Sequence, residues 1–132
     1  MFLNQLLDEE KKAFISLSIY AANADGDFSI EEKSMFQEYC KEMDLESFSA
    51  KDIISMDDIV NTFKMSEEHN KKIALFELLG LVYSDGMYKD EEKKFVMDFV
   101  KKIDLAENIV EEQLKLVIKY LDVLKEIVQV VE

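Results

Sequence analysis

Apolar residues recur at helical spacing along nearly the whole chain. Over residues 30–43 they fall at Met35, Phe36, Tyr39, Cys40 and Met43, one stripe along an α-helix. Ser29 and Glu32 stand three apart at its start, the spacing of a capping box, in which each side chain holds the other's backbone N–H. An earlier helix is predicted from about residue 8 to residue 24, capped by Asp8 and almost wholly apolar from Ala13 to Ala22. The pattern weakens over residues 47–64, where Ser55 with Asp58 predicts a short helix over 56–63. Ser66 is the predicted N-cap of a helix over 67–83. Another spans 91–103, with Phe95, Val96, Phe99, Val100 and Ile103 on one face, and a last helix starts near Ala106.

Composition agrees with an all-α reading. The 132 residues include no Pro and three Gly, too few for the many turns of a β-sandwich or barrel. One domain is expected at this length, and 48% hydrophobic content supplies a core. Lys+Arg 16 against Asp+Glu 29 gives a net charge of −13, so nucleic acid is a poor partner. A single cysteine excludes a disulfide framework and a cysteine-based zinc site. The first ten residues turn acidic with no basic stretch, so no secretory leader is expected and a cytoplasmic location is. The longest apolar run, residues 73–83, is interrupted by Glu77 and a glycine and reads as a core helix; no membrane insertion is expected.

The chain repeats itself without gaps at an offset of sixty residues. Asp25-Gly26 falls on Asp85-Gly86, Glu31-Glu32-Lys33 on Glu91-Glu92-Lys93, Lys41 on Lys101 and Asp44-Leu45 on Asp104-Leu105. That makes eight identities over the 21 positions 25–45, and Phe28/Tyr88, Tyr39/Phe99 and Met43/Ile103 match in character. The expectation is one domain over 1–132 built of two helical hairpins, about 8–45 and 67–105, with a C-terminal helix over about 106–131.

Each Asp-Gly turn is crowded with acids: Asp25, Asp27, Glu31 and Glu32 in one copy, Asp85, Asp90, Glu91 and Glu92 in the other. A plain account exists for both. Glycine accepts the positive φ of a helix end, and acids favour the following helix N-terminus. Yet carboxylates this dense repel one another unless solvent or a cation intervenes, and an all-oxygen donor set suits Ca²⁺ or Mg²⁺. A regular EF-hand does not fit, because neither Asp25 nor Asn23 as first ligand puts Gly at position 6 and Glu at position 12.

The stretch Ala24-Asp25-Gly26-Asp27-Phe28-Ser29-Ile30-Glu31-Glu32 resembles the motif of the TerB-like family of tellurite-resistance proteins. The second copy keeps Asp85-Gly86 and Glu92 but has Lys89 in place of the serine. The resemblance implies a fold of about seven helices, acids clustered on one face, and divalent-cation binding, with Ca²⁺ expected before Mg²⁺. Asp25, Glu32, Asp85 and Glu92 are the matching ligands, with Asp27 beside them. The family also includes domains fused to unrelated partners, so membership by itself does not imply tellurite resistance; a link to it or to stress response is an expectation only. The alternative is a metal-free helical scaffold that docks a protein partner.

Other residues offer less chemistry. Glu77 is expected to point to solvent, His69 to lie on the surface, and Cys40 to pack as a small hydrophobe. No nucleophile stands in a catalytic setting, so no enzyme activity and no catalytic residue is expected. In the last helix, Val110, Leu114, Val117, Leu121, Leu124, Val128 and Val131 alternate spacings of four and three, a coiled-coil seam. Its first half is expected to pack on the hairpins. Residues 123–131, apolar nearly all round, are expected to bury against a partner or a second copy.

Overall fold

A computed structural model describes residues 1–24, 26 and 28–132. Its regular elements among these residues are six α-helices and two single-turn 3₁₀ helices, with no strand. The helices are α1 (Asp8–Ala22), α2 (Ile30–Glu42), α3 (Met56–Lys64), α4 (Glu68–Val82), α5 (Asp90–Lys102) and α6 (Asn108–Val131). The 3₁₀ turns are Leu3–Gln5 and Ala50–Asp52. The all-helical class therefore stands, with six α-helices where about seven were expected.

Helices α1 and α4 form the centre. Both are apolar on every side in their middle, the signature of a helix surrounded by others. Ala13, Phe14, Ile15, Leu17 and Ala21 of α1 are buried, as is the run from Ile73 to Val82 except Phe76, which is half-buried. Helix α1 packs against α2, α3, α4 and α5, and α4 adds α6 and the first 3₁₀ turn. Edge-to-face ring pairs lock these layers: Phe14 with Tyr39 at 5.4 Å between centroids, and Phe63 with Phe99 at 5.9 Å.

Predicted stripes and observed burial agree in the amphipathic helices. Tyr39, Cys40 and Met43 of the α2 region are buried, as are Val96, Phe99, Val100 and Ile103 in the α5 region. The caps agree less well. Ser55 accepts from Asp58 N at 3.1 Å, as its position predicts. Asp8 is not the cap of α1: the N-cap is Leu7, whose N–H is held by Glu10 at 2.8 Å. Ser66 does not cap α4, which starts one residue later behind Glu67. Its hydroxyl instead donates to Glu10 and to the carbonyl of Thr62. Glu10 is 2% exposed and also accepts from Asn70 at 2.7 Å, so it ties the start of α1 to the α3–α4 junction.

The two hairpins share local geometry at the sixty-residue spacing. Gly26 and Gly86 have φ of 79° and 80°, and Asp44 and Asp104 both have φ of 60°. After α2, Leu45 N donates to Cys40 O and Asp44 N to Lys41 O. After α5, Leu105 N donates to Val100 O and Asp104 N to Lys101 O. This is the Schellman closure, with aspartate in the left-handed position that glycine usually fills.

Candidate functional site: the Asp-Gly turns and the cleft between α2 and α6

The turns begin where α1 and α4 run out of apolar surface. Gly26 N donates to Asn23 O at 3.0 Å, and Gly86 N to Tyr83 O at 2.9 Å. A side chain at either glycine would meet nothing within 4 Å, so the positive φ, not space, is what requires glycine. Asp25 and Asp27 lie outside the described residues. Asp85 is half-buried and accepts the Met87 N–H at 2.9 Å, turning the chain toward α5.

Glu32 and Glu92 are 2% exposed and sit at equivalent places. Glu32 accepts from Ser29 N at 3.0 Å while Ser29 Oγ accepts from Glu32 N at 3.1 Å, completing the capping box. Glu92 accepts from Lys89 N at 3.0 Å. Each of these carboxylates thus holds the first turn of the helix that follows. Aromatic residues line the same corners. Lys33 lies over the Phe28 ring at 6.0 Å and Lys93 over the Tyr88 ring at 5.6 Å. Burial, with the charge of Glu92 added, pushes the Tyr88 phenol up to about 12. By contrast the Asp90 side chain is open to solvent, 4.0 Å from Lys93. Among the described residues, no three His, Cys, Asp or Glu side chains come together as a group able to hold a metal ion.

A second feature lies between α2 and α6. A cleft of about 890 Å³ is lined by Ile30, Met35, Tyr39 and Leu121 together with Glu31, Glu38, Glu42 and Lys41, the last 3.8 Å from Glu38. It continues into a hollow of about 100 Å³ reaching Phe76, Glu77 and Gly80. Glu77 forms part of its wall and is 3% exposed, which corrects the expectation that it points to solvent. The Met1 amino group explains why the carboxylate can sit there: it donates to Glu77 at 3.0 Å and to Glu42 at 2.7 Å. Burial raises the pKa of Glu77 and the amino group partly offsets this.

Comparison with family models, with curated proteins and with solved structures found no match. The functional reading therefore rests on the geometry of this chain.

Of the predicted ligands, Glu32 and Glu92 lie at equivalent helix starts and Asp85 in its turn. Sequence reasoning missed the cleft altogether. Its signal was present in two places: Glu77 inside an apolar run, and Gly80 one turn later on the same helix. Cys40 is buried, and burial followed by the charge of Glu46 raises its thiol pKa, which suits an inert packing role. His69 is on the surface, 3.0 Å from the Gln5 side-chain oxygen. No helix is long and apolar enough among the described residues to cross a membrane.

Proposed function

We propose that this chain is a helical adaptor domain whose α2–α6 cleft docks a basic amphipathic helix of a partner protein. The observation that carries this reading is the cleft's composition. Apolar and adaptable Met35, Tyr39 and Leu121 line it together with Glu31, Glu38 and Glu42; of these acids, Glu38 lies 3.8 Å from Lys41 and Glu42 holds the Met1 amino group. Methionine reshapes readily around foreign side chains, and a groove of this kind accepts an amphipathic helix by its apolar face. The net charge of −13 steers cations toward it.

The test is titration of a fluorescent peptide of about eighteen residues, with leucines at helical spacing and lysines elsewhere. Binding in the micromolar range that weakens with added salt is expected, as is a several-fold loss in Glu31→Lys/Glu38→Lys. Absence of binding at low salt, or equal binding by that variant, overturns the reading.

The TerB-like resemblance supports a second reading, binding of Ca²⁺ or Mg²⁺ at the Asp-Gly turns, with a link to tellurite resistance or stress response. What favours it is the matched backbone of the two turns, with glycine φ of 79° and 80° and a buried glutamate following each. In this reading Asp25, Asp27, Glu32, Asp85 and Glu92 supply the ligands. Calorimetric titration with CaCl₂ and MgCl₂ decides it: no heat, and no rise in Tm at millimolar Ca²⁺, rules it out.

A further inference from the structure

Helix α6 carries two apolar seams, and the body of the protein covers only the first half of one, leaving Leu124, Val128 and Val131 at its far end 37%, 48% and 76% exposed. Val110 and Val117 are buried against the body, with Leu114 and Leu121 packed beside them. Each residue of the second seam stands one position earlier in a pair with the first. These are Leu116, Tyr120, Val123, Ile127 and Val130, spaced four, three, four and three, which is again the heptad rhythm. One position is about 100° of helical rotation, so this seam faces sideways, with Tyr120 at the rim of the hollow beside α4. Its five residues are 58%, 43%, 44%, 50% and 86% exposed. A continuous ridge of large apolar side chains some 21 Å long marks an interaction surface.

The charges beside the ridge say what covers it. On one flank stand Lys119 and Glu126, just before Tyr120 and Ile127. On the other stand Val117, Leu124 and Val131, with no charge. A parallel pair of such helices sets the charged flank of one against the apolar flank of the other. An antiparallel pair sets charged flank against charged flank. With the two-fold axis between Leu121 and Asp122, Tyr120 meets Val123 of a second copy and Leu116 meets its Ile127. In that register Lys119 meets Glu126 of the second copy, and the symmetry makes every contact twice. The antiparallel arrangement also puts the two acidic bodies at opposite ends of the seam, where their like charge costs least.

We infer that α6 pairs antiparallel with α6 of a second copy through Leu116, Tyr120, Val123 and Ile127, in a register fixed by reciprocal Lys119–Glu126 ion pairs. Exposed ion pairs add little affinity, so their part is to select orientation, while the apolar ridge supplies the association. Tyr120 also borders the hollow behind the α2–α6 cleft, whereas Val123 and Ile127 line neither, so Ile127→Lys separates the loss of pairing from the loss of peptide docking.

Sedimentation equilibrium of the full chain over micromolar concentrations tests the pairing. Twice the monomer mass is expected, with Ile127→Lys monomeric at the same concentrations. Helical circular dichroism and Tm of the diluted variant should match those of the diluted parent, since position 127 is exposed in the monomer. Lys119→Glu and Glu126→Lys should each weaken the dimer several-fold, and the double swap Lys119→Glu/Glu126→Lys should recover it. A chain that stays monomeric at several hundred micromolar, or a dimer indifferent to Ile127→Lys, overturns the inference. A dimer lost in Ile127→Lys whose double swap shows no recovery overturns the antiparallel register.

Discussion

Tyr39 donates its phenolic hydrogen to the backbone oxygen of Glu77 at 2.5 Å, and this bond sets how closely α2 lies on α4. The approach is possible because residue 80, one turn further along α4, is glycine. A Cβ there would stand 3.3 Å from the Tyr39 hydroxyl and 3.7 Å from the end of Met35. The hydroxyl is pinned by its bond and cannot give way.

That relationship predicts a coupled pair of substitutions. Tyr39→Phe should cost about 1 kcal/mol, the net worth of a buried hydrogen bond. Gly80→Ala should destabilise the parent protein, because the crowding at the pinned hydroxyl exceeds the helix-propensity gain. In the Tyr39→Phe background the same change should stabilise by about 0.5–1 kcal/mol, since alanine is the better helix former. Urea denaturation of the four proteins measures the cycle; additive effects would show that the hydroxyl and position 80 are not in conflict.

The buried glutamates at the helix starts separate capping from cation binding. Glu32→Ala removes the acceptor of the Ser29 N–H and should cost about 1 kcal/mol, whereas Glu32→Gln keeps an acceptor oxygen and should cost less. If the turns also hold Ca²⁺, Glu32→Gln should lower its affinity while leaving the metal-free Tm nearly unchanged. Paired denaturation and calorimetry on these two variants read both outcomes.

The left-handed aspartates offer stabilising changes. Asp44 and Asp104 hold φ of 60° at the ends of α2 and α5, a conformation glycine adopts without a Cβ penalty. Asp44→Gly should raise stability by up to about 1 kcal/mol, with Asp104→Gly similar less the weak 4.0 Å contact of Asp104 with Lys64. Thermal melts at low ionic strength suffice.

Alkaline pH should loosen the N-terminal corner in a chain whose amino terminus is Met1. Burial alone would lower the pKa of that amino group, but hydrogen bonds to Glu42 and Glu77 outweigh it and hold the value above 8.0. A folded pKa above the unfolded one means the contribution is complete below pH 8 and is lost as pH rises through the folded value. Tm should therefore fall as pH rises above 8, and fall less in Glu42→Gln/Glu77→Gln. Tyr39 adds nothing to this window, since burial first, and the charges of Glu77 and Glu42 after it, hold its phenol well above the usual tyrosine range.

Sequence by itself determined what nearest neighbours decide. The stripes of α2 and α5 name their buried faces, Ser29 with Glu32 forms the box its spacing predicts, and Gly26 and Gly86 mark equivalent turns. Each depends only on helical periodicity and on dihedral preference within a few residues. Tertiary structure decided where isolated polar groups and surplus apolar faces end up. Glu77, expected in water, is buried because an amino group from the start of the chain reaches it; Ser66 reaches across to Glu10 rather than capping its own helix. Gly80, a break in a run of apolar letters, is the contact point for the Tyr39 hydroxyl. In α6 the sequence shows apolar residues on two sides, but only the packing of α4 decides that Val110 and Val117 are covered and that both sides of the second half stay exposed. These outcomes depend on which side chains are brought within a few ångströms by the fold, information that a linear spacing does not carry.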